Sequence, residues 1–301
     1  MNQRTTGVAV RLVVALTTFM VAAVSAAAAA PPPPQERNQV KATLLADVAA
    51  VKPGATFNVG VLLEIAPGWH VYWTNPGDSG LPTQVKFQFP EGFKVGDLRY
   101  PTPSRFSTPD GAASFGYSGT VLLTALVEAP DELMKEQKEL RLGASATWLV
   151  CKEVCLPGTA KPELTLPISN DAAPANEPLF KKWAEQVPVD VKESPDVAKL
   201  EWTPGSDKAA GESTLVVTWK QAAPQDVNLF PGPDEALDVR TMDAKTEGNQ
   251  TRMVVSVRVL AGQKPKADHL PAVLGYTVKD GVRRGVKTDI AVPTADGKKP
   301  G

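Results

Sequence analysis

Short stretches in which apolar and polar residues alternate recur along this 301-residue chain, and they restrict its fold more than any other feature. The segment TFNVGVLLEI (56–65) is the clearest example, because apolar residues occupy every second position from Phe57 to Ile65. The segment WHVYW (69–73) follows the turn APG and is expected to be its hairpin partner. Further strand-like stretches lie at 40–48, 84–89, 120–129, 138–150 and 160–168. About seven short strands with turn residues between them predict an antiparallel β-sandwich over 40–169.

A second β-rich region is expected after a polar linker rich in Pro and Ala (170–177). The segment EPLFKKWAEQVP has apolar residues at helical spacing and a Pro at its start, which predicts a short linking helix. We therefore predict an all-β chain, in which a smaller sandwich-like domain (178–294) and a tail (295–301) follow the first sandwich. The strands of this second domain are predicted at 213–219, 252–260, 272–278 and 285–292.

The N-terminal residues (1–28) have the pattern of a cleaved secretory signal, and a Pro-rich leader (29–39) follows. Arg4 and Arg11 supply positive charge, and an apolar run (12–24) leads into small residues. A short membrane anchor is the alternative, but the run falls short of the roughly 20 residues that span a bilayer. We expect an exported, soluble mature chain without a membrane span, in a compartment where disulfides persist.

The charge balance of the chain argues against two kinds of binding partner. The formal net charge is −1, so no broad attraction to nucleic acid or anionic lipid is expected. Hydrophobic residues make up 43% of the chain, which is enough for a packed core. We expect no cofactor.

Both cysteines of the chain lie in WLVCKEVCLPG (148–158). In one extended strand Cys151 and Cys155 would lie about 13 Å apart, whereas a disulfide needs Cα atoms at about 4.4–6.8 Å. A chain reversal within 152–154 would make the two cysteines a cross-strand pair in a hairpin.

Three roles are open for this pair. As a structural disulfide it would close only about five residues and remove about 2 kcal/mol of chain entropy. A bond at an exposed loop is also of the reducible kind, which suits a redox pair. A closed zinc site needs four ligands, and His70 and His269 are the only histidines. A Cu(I) site formed by Cys151, Cys155 and His70 is the remaining metal alternative.

Three segments resemble one known family. The segment ATWLVCKEVCLPGTAKPELTLPI (146–168) resembles the cysteine hairpin in the N-terminal periplasmic domain of the DsbD thiol:disulfide interchange protein family. The segments PGWHVYWTNPGDSGLPT (67–83) and FGYSGTVLLTALVEAP (115–130) are similar to the ScsB-like branch of that family, which is implicated in copper tolerance. The resemblance covers about residues 40–170, and it is weaker over the second β-rich region.

This resemblance implies an immunoglobulin-like sandwich and a protein-disulfide reductase-type electron transfer through Cys151 and Cys155. The implied partners are a membrane-embedded thiol reductant and periplasmic thioredoxin-like proteins. By analogy Cys151 is expected to form the mixed disulfide. The family's membrane helices and thioredoxin-like domain have no counterpart in this sequence, so the reductant is expected to be a separate protein. A non-catalytic immunoglobulin-like binding module and a periplasmic Cu(I)-handling protein are the alternatives.

The family also covers its cysteines with an aromatic cap loop. By position the resemblance makes Phe115 or Tyr117 the cap residue, with ordinary sandwich packing as the alternative. Alternation in the strand 69–73 places Trp69, Val71 and Trp73 toward the core. We expect the residues between them, His70 and Tyr72, to flank the cysteines. A histidine there could shift the thiolate population or carry a proton, unless it is an ordinary surface residue.

Overall fold

The computed structural model describes Met1 and residues 39–107, 111–133, 138–204 and 211–293. The predicted signal and leader lie almost entirely outside the described residues, and the predicted tail lies wholly outside them. Those three assignments stay predictions. All the elements below belong to one unit of the chain, Arg37–Gly301.

Strands make up most of the described chain up to residue 167. In chain order they are β1 (Val40–Ala46), β2 (Thr56–Ile65), β3 (His70–Gly77), β4 (Gln84–Gln88), β5 (Lys94–Val95), β6 (Ser104–Ser107), β7 (Ala113–Ser118), β8 (Thr120–Glu128), β9 (Glu139–Cys151), β10 (Cys155–Ala160) and β11 (Glu163–Pro167).

These strands form two sheets with a hydrophobic core between them. The first sheet has the order β1-β2-β8-β5, and the second has the order β10-β9-β3-β7-β6, with β4 and β11 also paired to β9. The inward residues of β2 and β8, such as Val61 and Leu123, are fully buried. Each such side chain stabilises the fold by roughly 1.5–3 kcal/mol. The predicted antiparallel, immunoglobulin-like β-sandwich is confirmed.

The predicted hairpin between 56–65 and 69–73 is wrong. Strand β2 pairs with β1 on one side and with β8 on the other, so both of its edges are occupied. Strand β3 instead pairs with β7 and β9 in the second sheet. The chain crosses between the sheets at a turn in which the Trp69 N–H donates to the Ala66 carbonyl (3.0 Å).

A single helix, α1 (Glu177–Ala184), follows the first sandwich in the described part of the chain. Pro178 lies in its first turn, where a missing N–H leaves no helical bond unmade. Phe180 and Trp183 are buried and belong to the first core, so the helix packs with the first sandwich although the sequence grouped it with the second region. No helix among the described residues is long and apolar enough to cross a membrane.

The second region is also built from strands in two sheets. They are β12 (Val197–Pro204), β13 (Glu212–Trp219), β14 (Gln225–Pro231), β15 (Leu237–Glu247), β16 (Gln250–Val259), β17 (His269–Thr277) and β18 (Arg283–Ala291). One sheet has the order β12-β13-β16-β15 and the other the order β14-β17-β18. Leu215, Trp219 and Leu274 lie in a second hydrophobic core between them.

Sequence alternation identified β13, β16, β17 and β18 but not the other three strands. Strand β15 shows why, because it lies at the edge of its sheet and most of its side chains are exposed. An edge strand with two solvated faces has no apolar periodicity to detect.

Candidate functional site

The two cysteines lie at the tip of a hairpin. Strand β9 ends at Cys151 and β10 begins at Cys155, and the two residues are directly opposite each other in the ladder. They form a disulfide with a Cα–Cα distance of 4.2 Å. The Lys152 N–H donates to the Val154 carbonyl (3.1 Å) and closes the three-residue loop. The predicted cross-strand pair is confirmed.

The second strand of the hairpin is fixed by a glycine. Gly158 is opposite Trp148 in the ladder, and a Cβ at this position would overlap the Trp148 indole. The Trp148 ring can therefore contact β10 this closely only because residue 158 has no side chain. This packing holds the cysteine hairpin against the sandwich.

The two cysteines differ in exposure. Cys151 is 3% exposed, whereas Cys155 and the loop residues before it are exposed. Cys151 is buried between β10 and β3, whereas Cys155 begins an edge strand, so the Cys155 sulfur is the more accessible of the two. The expectation that Cys151 forms the mixed disulfide stays a prediction, and this difference in access favours Cys155 instead.

Strand β3 brings two predicted residues to the disulfide. His70 is opposite Cys151 in the ladder, and the Tyr72 hydroxyl lies 3.8 Å from the Cys155 sulfur. A disulfide sulfur carries no proton, so the hydroxyl must be the donor. Burial raises the pKa of Tyr72, which keeps the phenol protonated and able to donate at neutral pH. On the opposite face of the strand, Trp69, Val71 and Trp73 pack in or against the first core, as alternation predicts.

Phe106 is the aromatic residue that sequence reasoning missed. Its ring stacks on the His70 imidazole with centroids 4.6 Å apart, and the Tyr72 ring meets the same imidazole edge-on at 5.2 Å. Phe106 is the only apolar residue of the segment SRFS in β6, so no alternation was present that could have identified it. In combination, Phe106 and Tyr72 enclose the imidazole on two sides.

His70 is held as a neutral imidazole. Burial lowers its pKa, because the surrounding rings replace the water that would solvate an imidazolium. Its Nε2 lies 3.4 Å from the Ser114 hydroxyl on β7, which can donate to or accept from the ring according to tautomer. The side chain therefore supplies a hydrogen-bonding group beside the disulfide rather than a fixed positive charge.

The structure does not bring Phe115 or Tyr117 to the disulfide, which corrects the assignment of these two residues as a cap. Both side chains face the hydrophobic core. Ser114, which precedes Phe115 in β7, points to the opposite face of the strand, toward His70. Tyr117 is buried and donates its hydroxyl to the Pro101 carbonyl (2.7 Å). The Phe115 ring meets Phe230 of β14 at 5.1 Å. Strand alternation accounts for the error, because odd-numbered residues of β7 point away from the site.

No metal-binding cluster of three or more His, Cys, Asp or Glu side chains occurs in the parts of the chain that the structure describes. The Cu(I) alternative of Cys151, Cys155 and His70 would first require reduction, since thiolates and not a disulfide bind the metal. The arrangement as it stands is that of a half-exposed disulfide with a phenol donor and a shielded imidazole beside it.

Comparison with known proteins finds a matching family model and similar solved structures. Residues 39–167 match the family model of the thiol:disulfide interchange protein DsbD, N-terminal. The N-terminal periplasmic domain of ScsB from Proteus mirabilis matches with a TM-score of 0.61 and 17% identity, over 85% of this chain and 95% of that chain. The DsbD N-terminal domain of Neisseria meningitidis in the reduced form matches with a TM-score of 0.26 and 16% identity, over 47% of this chain and 93% of that chain.

No curated protein sequence matches the chain significantly. The likeness to the ScsB domain establishes a shared fold, and it extends over both β regions because it covers most of each chain. The family match covers the sandwich that carries the cysteine hairpin. The sandwich that carries the cysteine hairpin is therefore similar to the DsbD N-terminal domain family.

Proposed function

We propose that the chain is a periplasmic thiol:disulfide exchange protein of the protein-disulfide reductase type. It passes electrons through Cys151 and Cys155 between a membrane-embedded thiol reductant and periplasmic thioredoxin-like partners. The observation that carries this proposal is the asymmetric disulfide, in which Cys155 is exposed beside a phenol donor and Cys151 is buried. A disulfide with a purely structural role would not need an exposed sulfur that accepts a hydrogen bond from a neighbouring phenol.

Reduction of the pair begins at Cys155. A thiolate of the donor attacks the Cys155 sulfur, a mixed disulfide forms, and Cys151 leaves as a thiolate that takes up a proton. A second thiolate of the donor then attacks the donor's own sulfur in the mixed disulfide, and Cys155 leaves. The donor is oxidised to a disulfide, and this chain gains two electrons and holds two reduced cysteines.

Delivery to an acceptor follows the same route in reverse. The Cys155 thiolate attacks the acceptor disulfide and forms a mixed disulfide, and one acceptor sulfur leaves as a thiolate. Cys151 then attacks the Cys155 sulfur, which restores the bond in this chain and releases the reduced acceptor. In both directions Cys155 makes the bond between proteins, and Cys151 makes or breaks the internal one.

The neighbouring side chains assist this exchange. The Tyr72 hydroxyl donates to the Cys155 sulfur when that sulfur becomes a thiolate, which stabilises the charged form. His70 beside Cys151 is neutral and can accept the proton of a thiol or return it. Tyr72 is assigned to Cys155 and His70 to Cys151, because each of the two residues lies beside a different cysteine of the disulfide.

Trapping the mixed disulfide tests the proposal. A Cys151→Ser variant keeps the exposed thiol but cannot resolve the intermediate, so it should accumulate a covalent adduct with oxidised thioredoxin as a probe and with acceptors in a periplasmic extract. The adduct should run as a larger band on a non-reducing gel and disappear on addition of dithiothreitol. Cys155→Ser is the matched control, and its buried thiol should form far less adduct. Absence of an adduct from both variants would overturn the proposed exchange, and a stronger adduct from Cys155→Ser would overturn the assignment of the attacking sulfur.

A further inference from the structure

The second β region packs against the back of the strands that carry the disulfide site. Phe230 of β14 is fully buried, and its ring meets Trp73 of β3 at 6.2 Å and Phe115 of β7 at 5.1 Å. Phe230 and Val273 consequently belong to the first hydrophobic core although they come from the second region. Burial of a whole aromatic side chain makes this a substantial contact.

Arg283 of β18 forms a polar link at the same place. The residue is 8% exposed, and its Nε donates to the Pro103 carbonyl at 2.5 Å. Its Nη1 pairs with Asp226 at 2.6 Å, and its guanidinium lies 5.4 Å over the Phe230 ring. A hydrogen bond from a buried charged donor is among the stronger ones, because loss of its partner leaves the charge unsolvated.

The approach of the two regions depends on a missing side chain. A Cβ at Gly275 of β17 would lie 2.7 Å from both the Phe230 ring and the Thr102 methyl group. Thr102 in turn is held by its N–H and hydroxyl, which donate to the Gln186 carbonyl at 2.7 and 2.8 Å. The segment before β6 is therefore clamped between the second region and the end of the linking helix.

The clamped strands are those that enclose His70. Pro103 directly precedes β6, whose Phe106 stacks on the imidazole. Phe115 lies next to Ser114, whose hydroxyl is 3.4 Å from the imidazole Nε2. Because successive side chains of a strand point to opposite faces, β7 contacts the second region on one face and His70 on the other.

We propose that Arg283 and Phe230 are positioning residues of the exchange site. They hold β6 and β7 on the side opposite the disulfide. Phe106 and Ser114 thereby stay in contact with His70. The consequence of these contacts is control of the rate of thiol:disulfide exchange, and this part of the inference rests on the proposed function. Loss of either contact frees β6, uncovers the His70 ring and opens the face on which the disulfide lies.

The titration of His70 tests this in the full chain, in the oxidised state. The chain has two histidines, so the His70 and His269 ring signals can be followed separately by NMR. In Arg283→Ala and in Phe230→Leu the pKa of His70 should rise toward its ordinary value of 6.5. Dithiothreitol should reduce the disulfide about fivefold faster in both variants. Arg283→Lys keeps a charge and a donor and should lie between wild type and Arg283→Ala.

Arg284→Ala is the matched control. Arg284 pairs with Asp196 at 3.1 Å within the second region, so its loss should leave both readouts unchanged. If Arg283→Ala does not fold, Phe230→Leu decides alone. Unchanged His70 titration and reduction rate in the folded variants would overturn the proposal, and so would an equal shift in Arg284→Ala. The titration needs no partner protein, so its outcome is separate from that of the trapping experiment.

Discussion

Each β region contains a buried tyrosine on a central strand, and the two hydroxyls are used in different ways. In the second region the Tyr276 hydroxyl meets Ser194 at 3.3 Å and Asp196 at 3.1 Å, and Arg284 neutralises that carboxylate. Burial chiefly raises the pKa of Tyr276, to about 12. In the first region the Tyr72 hydroxyl meets the Cys155 sulfur at 3.8 Å.

The difference is between a hydroxyl that bonds only to groups of the fold and one that contacts the disulfide. The Tyr276 network joins side chains that are satisfied only in the folded arrangement, so its hydrogen bonds contribute to stability. The contact of Tyr72 is with an atom whose charge changes when the bond is reduced, so its contribution depends on redox state. Under the proposed function, the same residue type stabilises the fold in one region and a reaction intermediate in the other.

Tyr276→Phe should cause a larger loss of stability than Tyr72→Phe or His70→Asn. Removal of the hydroxyl takes one hydrogen-bond partner from Ser194 and one from Asp196, and the free energy of unfolding should fall by about 1–3 kcal/mol. The rate at which thiols reduce the disulfide should be unchanged. Urea denaturation and a reduction time course measure the two effects. A slower or faster reduction in this variant would show that the division between the regions is wrong.

Tyr72→Phe should have the opposite profile. The reduced variant loses a donor to the Cys155 thiolate, so alkylation of Cys155 at neutral pH should slow by about fivefold, which corresponds to one hydrogen bond of about 1 kcal/mol. The oxidised variant should be within about 1 kcal/mol of wild type in urea. The pH dependence of iodoacetamide labelling is the measurement. A labelling profile that superimposes on wild type would remove Tyr72 from the mechanism.

The smallest effect concerns the pH dependence of stability. Burial lowers the pKa of His70 in the folded chain, so on acidification the unfolded chain binds a proton at its ordinary value of 6.5 before the folded chain does. The free energy of unfolding should therefore fall as the pH drops below 6.5 and level off below the folded pKa. His70→Asn should lose this part of the slope at pH values below 6.5. His269→Asn, at an exposed position, is the control and should keep it. An unaltered slope in His70→Asn would contradict the enclosure of the ring.

Local pattern predicted the faces of the strands well. Alternation in β2 and around Val71 gave the buried face, and the spacing of the cysteines gave their cross-strand pairing. These features depend on residues that are neighbours in sequence. The period of the apolar alternation and the distance that a short chain segment can span are therefore sufficient to derive them.

Pairing partners and long-range contacts could not be predicted in the same way. Alternation says which side of a strand is apolar but not which strand lies beside it, and β3 consequently joined the other sheet. The stacking of Phe106 on His70 and the burial of Phe230 behind β7 join residues that are far apart in sequence. The unequal exposure of Cys151 and Cys155 depends on β3 covering one cysteine and not the other.

The reduction potential of the Cys151–Cys155 bond tests the central claim most directly. The purified chain is equilibrated in glutathione or thioredoxin buffers, and its thiols are counted by alkylation at each potential. An exchange site predicts a midpoint above about −300 mV, with wild-type cysteines passing fully from oxidised to reduced within the range of these buffers. A bond that stays oxidised below about −300 mV would be a structural disulfide and would contradict the proposed function.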